Sequence, residues 1–264
     1  MDSPINIIFL CYEARSGSTY LSSELEKHKD ICVTIEDSLP FGLPLIKHLI
    51  SKESEILYHL INDKKFKHWN ICNSDLKKAL HVSKNSTEFF NQIIKLYIKQ
   101  NKPNASTVIY KMPIKPVFIT LVRNLFPNAK FIHLYRDPRS VYASQSNNLT
   151  SSSGKKFSSN IIKFSKVWIS NYIFNKDLEQ KNPKIFFRLK YEEFILSNEK
   201  SLKKLLKFIN VTYEDLNSKS TYSLKIPKSQ ITLHKNIDNK PQSSRINVWK
   251  ETLNNSEIYI IQKI

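Results

Sequence analysis

Residues 5–19 read INIIFLCYEARSGST, and how this stretch is parsed decides the architecture. Ile5 to Cys11 is a short, Ile-rich apolar run with no polar alternation, the pattern of a strand covered on both faces. Tyr12 to Gly17 interrupts it. Ser18 to His28 then carries Tyr20, Leu21 and Leu25 at helical spacing, before a second strand-like run from Ile31 to Ile35. Strand, loop, helix and strand in that order predict a right-handed parallel crossover.

The loop holds the densest chemistry of the chain, Ala14-Arg15-Ser16-Gly17-Ser18-Thr19. Placed before a helix N-terminus, it offers unpaired backbone N–H groups and the positive end of the helix dipole to an anion. Gly17 lets the backbone approach an oxyanion closely, Ser18 and Thr19 add hydroxyl donors, and Arg15 supplies a fixed charge. The ATP-type loop G-x-x-x-x-G-K-[ST] is excluded, because its two Gly and its Lys are absent. The three Gly of the whole chain, at 17, 42 and 154, leave no G-x-G-x-x-G dinucleotide fingerprint either.

Downstream, Pro40 to about Asn104 is patterned mostly for helices. Thr107 to Tyr110 reads as a third strand, Val117 to Phe126 as a helix, and Lys130 to Tyr135 as a fourth strand leading into a helix from Pro138 to about Asn147. Thr150 to Ser159 is a small, polar loop. Ile161 to Leu178 is an amphipathic helix, Lys184 to Leu189 a fifth strand and Asn198 to Ile209 a helix. The tail from Lys225 to Ser244 is polar and weakly patterned, and Ile246 to Ile264 returns to helical spacing. This alternation predicts an α/β fold with a central, mostly parallel sheet flanked by helices, read as a single domain over residues 1–264.

Forty-one Lys and Arg against 23 Asp and Glu give a formal charge of +18, which attracts nucleotides, nucleic acid, acidic membrane surfaces and anionic glycans alike. The Lys are scattered along the chain, so most read as solvated surface, with a few Arg and Lys lining a site. No run approaches the roughly 18 to 20 apolar residues of a membrane span. Asp2 stands where a basic signal-peptide n-region would be, and no small-residue cleavage site follows; the expectation is a cytoplasmic chain, lumenal only as a fragment of an anchored protein. Cys11, Cys32 and Cys72 lack metal-ligand spacing and read as reduced, mostly buried thiols.

Phe131 to Gln145 reads FIHLYRDPRSVYASQ. A strand end followed by Arg136, with Pro138 opening a helix, places Arg136 at the C-terminal edge of the sheet, where α/β proteins bind ligands. Ser144, eight residues on, falls near the same face, and the two are suited to grip a second phosphate.

With both motifs in hand, the chain resembles the PAPS-dependent sulfotransferase family, in motif form most like its tyrosyl-protein and carbohydrate branches. The resemblance extends through Tyr110-Lys111-Met112-Pro113, Phe126-Pro127-Asn128-Ala129-Lys130, Lys190-Tyr191-Glu192-Glu193-Phe194 and Trp249. It implies a P-loop-like three-layer fold and 3′-phosphoadenosine 5′-phosphosulfate (PAPS) as co-substrate. It also implies that Arg15, Ser16, Gly17, Ser18 and Thr19 hold the 5′-phosphosulfate, that Arg136 and Ser144 hold the 3′-phosphate, and that Tyr191 packs on adenine. Lys240 and Arg245 fall where the family closes a basic loop over the nucleotide.

Glu36 stands at the distance from the loop where the tyrosyl-protein enzymes place their base, with His133 and the other six His as a competing set. Arg15 and Lys111 are the cations expected to face the leaving oxygen and the sulfuryl group, a placement that needs no metal. Asp137 and Arg139 read as structural partners beside the phosphate site. The acceptor, a hydroxyl or amine on a carbohydrate, tyrosine, lipid or small molecule, is not identified by the sequence. Two other readings stay open: a metal-dependent small-molecule or nucleoside kinase, for which no convincing carboxylate set is visible, and a basic nucleic-acid-binding protein supported mainly by charge.

Overall fold

The computed structural model describes residues 5–36, 53–148, 156, 158–214, 223–225 and 243–264. Strands β1 (Asn6–Tyr12), β2 (Ile31–Val33), β3 (Thr107–Pro113), β4 (Lys130–Tyr135) and β5 (Phe186–Lys190) form one sheet. Its order is β2-β3-β1-β4-β5, and every pairing is parallel. The helices are α1 (Ser18–Glu26), α2 (Glu53–Asn62), α3 (Asn73–Val82), α4 (Ser86–Asn101), α5 (Pro116–Leu125) and α6 (Pro138–Asn147). They continue with α7 (Ile161–Lys181), α8 (Tyr191–Leu196), α9 (Asn198–Phe208), α10 (Trp249–Thr252) and α11 (Asn255–Lys263).

The apolar run of β1 lacks alternation because both of its faces are covered. Ile8, Leu10 and Tyr12 pack with Leu21 and Leu25 of α1 and Leu205 of α9, whereas Phe9 and Cys11 pack with Phe90, Ile94 and Tyr97 of α4. The chain leaves β1 toward β2 but leaves β4 toward β5. The loops after β1 and β4 therefore part in opposite directions and open a crevice at the C-terminal edge, the ligand position of open α/β sheets.

Several boundaries differ from the sequence reading, each for a local reason. β2 ends at Val33 rather than Ile35 because side chains take over its backbone bonding: Ile35 N–H donates to the Tyr97 hydroxyl at 3.2 Å and Trp69 Nε1 donates to Ile35 O at 3.1 Å. β3 runs on to Pro113, since Lys111, Met112 and Pro113 stay in register with Leu10, Cys11 and Tyr12. From Glu53 on, the helical stretch before Asn104 divides into α2, a 3-10 turn (Phe66–Trp69), α3 and α4, the last capped by Asn85, and its part from Pro40 to Lys52 lies outside the described residues. The C-terminal helix is likewise broken, into a 3-10 turn (Ser243–Asn247), α10 and α11, because Asn254 and Glu257 close a capping box that starts a new helix. Cys11 and Cys32 are buried free thiols, and Cys72 is exposed. No helix among the described residues is long and apolar enough to cross a membrane.

Candidate active site

The loop between β1 and α1 is shaped by two residues in left-handed backbone conformations, Arg15 (φ 72°) and Gly17 (φ 93°). Between them, Ser16 donates both its N–H (3.1 Å) and its hydroxyl (2.6 Å) to Glu13 O, which closes the turn. A Cβ on Gly17 would lie 2.3 Å from Cε2 of Tyr191, so only glycine fits where the loop crosses that ring. α1 starts at Ser18, with Thr19 next, and no side chain caps the N–H groups of its first turn.

Arg15 reaches across the crevice, its Nε donating to Ser144 Oγ of α6 at 3.0 Å. Arg136, just beyond β4, donates to Arg15 O at 3.2 Å and to Arg245 O at 2.5 Å, with its guanidinium 4.4 Å from the Tyr191 ring centroid. Its Nε is buried without a partner. Burial, together with Arg245 and Arg136, holds the Arg15 guanidinium below its ordinary range. Burial does the same to Arg136, partly offset by Tyr191 and Glu192. No carboxylate pairs with Arg15 among the described residues. The fold thus assembles like charges where a polyanion would relieve them.

Neighbouring groups carry this arrangement. Asp137 caps α6 and holds Arg139 at 2.6 Å, and Arg139 lies 3.8 Å from the Trp249 ring centroid. Ser140 donates to Ile246 O at 2.8 Å, pinning the C-terminal turn that presents the exposed Arg245. Tyr191 is almost fully buried, its edge against Gly17 and its face toward Arg136. Lys240 lies outside the described residues.

On the β3 side of the crevice, Glu36 and Lys111 come together around a residue that sequence reasoning missed. Tyr12 donates its hydroxyl to Glu36 Oε1, while Lys65 Nζ lies 3.3 Å from Oε2. The buried Lys111 ammonium sits 5.6 Å from the Tyr12 ring centroid. Burial pushes the Lys111 ammonium pKa down, Glu36 pulls it up and Lys65 adds to the fall. Tyr12 adjoins the loop and was legible as a neighbour of it; Lys65 arrives through a tertiary contact that carries no sequence signal. Glu13 was also missed: burial raises its carboxyl pKa, and Gln145, which bonds Ala14 O at 2.9 Å, donates to it at 3.4 Å.

Of the competing histidines, His133 lies inside the sheet. It is buried in β4 with Nδ1 unpartnered, and burial, reinforced by Arg188, drives its pKa down to about 3. His28 has both ring nitrogens engaged, Nδ1 by Asp30 N–H (3.1 Å) and Nε2 by Thr212 O (2.8 Å). Its cluster with Asp30 and Glu214 lies at the N-terminal edge of the sheet, opposite the crevice, and its ring nitrogens are not free for a metal.

An all-parallel sheet, an anion loop between β1 and α1 and a second arginine across the crevice define an α/β protein of P-loop-like architecture built to hold a polyanionic ligand. The model of the sulfotransferase family matches residues 7–215, and the chain belongs to that family. A protein-tyrosine sulfotransferase of Drosophila melanogaster is 25% identical over 210 residues, 79% of this chain and 39% of that protein. The chain therefore spans about two fifths of the length of that curated relative. Among solved structures, the sulfotransferase domain from the curacin biosynthetic pathway superposes with a TM-score of 0.62 at 18% identity, covering 100% of this chain and 98% of that one. A mouse sulfotransferase complexed with PAP gives 0.51 at 12% identity, covering 100% and 83%.

Proposed function

We propose that the protein transfers a sulfuryl group from PAPS to an acceptor hydroxyl or amine, without a metal ion. The observation that carries this reading is the trio of Arg15, Arg136 and Arg245 around one crevice, with Arg15 lacking a counter-charge among the described residues and Arg136 Nε buried and unpartnered. Two anionic groups at the ends of one nucleotide fit this arrangement, a 5′-phosphosulfate at the loop and a 3′-phosphate at Arg136 and Ser144. A fold shared with a mouse sulfotransferase complexed with PAP supports the assignment.

Bound there, PAPS supplies the sulfuryl group: the acceptor oxygen or nitrogen bonds to sulfur as the bond from sulfur to the bridging oxygen breaks, and that electron pair leaves with 3′,5′-ADP. The chain's own residues position groups and stabilise charge. Arg15, Lys111 and the first turn of α1 face the anion that departs. Glu36 takes the acceptor's proton. Arg136, Ser144 and Arg245 hold the 3′-phosphate, Tyr191 backs Arg136 beside the adenine, and Lys240 contributes from the C-terminal segment.

Calorimetric titration with PAPS, 3′,5′-ADP and ATP, each in EDTA and in magnesium, tests this reading. PAPS and 3′,5′-ADP are expected to bind equally well in both buffers and ATP weakly in either. A strict magnesium requirement, or a preference for ATP, would transfer the assignment to a kinase.

A further inference from the structure

We propose that Tyr12 is a positioning residue for Glu36, acting in two ways: its hydroxyl fixes the plane of the carboxylate, and its ring keeps Lys111 from closing on it. This rests on the reading above, in which Glu36 takes the acceptor's proton.

The backbone leading to Glu36 is anchored only as far as Ile35. Thr34 Oγ1 accepts from Lys111 N–H at 3.2 Å, and Tyr97 and Trp69 hold the N–H and C=O of Ile35. Beyond that point the carboxylate is oriented by one donor on each oxygen. The two donors differ in stiffness. The Lys65 side chain is 46% exposed and its ion pair is the weak, solvent-screened kind. Tyr12 is 5% exposed, the last residue of β1, and its ring packs in the core against the α1 face of the sheet, so the sheet itself sets where its hydroxyl points. The rigid donor holds Oε1. The mobile one sits at Oε2, the oxygen an acceptor reaches by displacing Lys65.

The ring has a separate task. Lys111 is in register with Leu10 on the neighbouring strand, and its side chain therefore lies on the same face as Leu10 and Tyr12. A buried ammonium beside a carboxylate would close into an ion pair and occupy the base. Instead Lys111 faces the Tyr12 ring at 5.6 Å and makes no ion pair with Glu36 among the described residues. A phenol is suited to this position because it donates to a carboxylate without adding a positive charge there, and its aromatic face stabilises a cation on the other side.

The test is a double-mutant cycle with Tyr12→Phe, Glu36→Gln and the double variant. It is read as kcat and KM for PAPS with a tyrosine-containing peptide, whose phenol keeps its proton at neutral pH, and with water as acceptor, both through release of 3′,5′-ADP. Calorimetry gives 3′,5′-ADP affinity for each variant. Tyr12→Phe is expected to lower kcat about 10- to 100-fold while KM for PAPS and 3′,5′-ADP affinity stay within about twofold, and to cause no further loss on top of Glu36→Gln. Losses that multiply, wild-type kcat in Tyr12→Phe, or loss of 3′,5′-ADP binding in that variant would each overturn the positioning role and leave Glu36 as base. Wild-type kcat in Glu36→Gln would instead remove the base itself. A wild-type protein that binds neither PAPS nor 3′,5′-ADP in the calorimeter would remove the reaction on which the inference stands.

Discussion

Replacing Arg136 by alanine probes the second anion position directly. Its guanidinium is buried, donates to two backbone carbonyls and leaves Nε without a partner, so a 3′-phosphate arriving there would meet a preplaced fork. Hydrogen bonds to a charged group contribute about 1.5–3 kcal/mol each. A phosphate that gains two of them displaces at least one carbonyl, which brings the expected net loss in Arg136→Ala to about 2–4 kcal/mol. At about 1.4 kcal/mol per tenfold, that is roughly a 30- to 700-fold weaker Kd for 3′,5′-ADP. Affinity for 5′-AMP, which lacks the 3′-phosphate, should change by less than about threefold. Arg136→Lys keeps a charge but not the fork, and should recover part of the loss. Isothermal titration of the three proteins with both nucleotides decides the matter. Equal losses for 3′,5′-ADP and 5′-AMP would show that Arg136 supports the loop through Arg15 O and does not read the phosphate.

Glu36→Gln should lower kcat roughly 10²- to 10⁴-fold on a confirmed acceptor while 3′,5′-ADP affinity stays near wild type; retained activity in the steady-state assay would move the base elsewhere. Gly17→Ala must place a Cβ 2.3 Å from the Tyr191 ring at φ 93°, so it should destabilise the protein by at least about 2 kcal/mol in urea unfolding and abolish 3′,5′-ADP binding. His133 titrates near 3 when folded and near 6.5 when unfolded, so between these values the unfolded chain binds more protons and stability falls as pH falls. Lowering the pH from 7 to 5 should cost about 2 kcal/mol from this group alone, and His133→Gln should flatten the pH dependence of the urea midpoint; an unchanged slope would show that His133 protonates freely in the fold.

Local pattern carried much of the architecture. The unbroken apolar run of β1, the Ser-rich opening of α1 and the strand-to-helix junction at Arg136 each have a short-range physical cause: a strand covered on both faces, a helix start without a side-chain cap, and a proline that sets the first helical turn. These three features pointed to the parallel sheet and the edge at which the crevice opens, and Arg136 and Ser144 both lie beside that crevice. Helix ends between 53 and 101, and the break at Asn254, were less legible because caps and side-chain bonds from distant residues decide them.

The chemistry of the site depended on contacts between residues far apart in the chain. Arg15 meets Ser144, Arg136 meets Arg245 O, and Tyr12 and Lys65 meet Glu36 because the sheet order β2-β3-β1-β4-β5 brings the segments after β1, β2 and β4 to one edge, where Lys65 and the turn holding Arg245 pack against them. The sequence favoured Glu36 as proton acceptor by its distance from the loop and kept His133 and the other six His as a competing set. Tertiary burial gives them different surroundings: His133 is buried, where a charge is costly, whereas Glu36 sits past the end of β2, held by a phenol and a half-exposed lysine. Residue type is written in the chain, but the dielectric and the partners around it exist only once the sheet has formed.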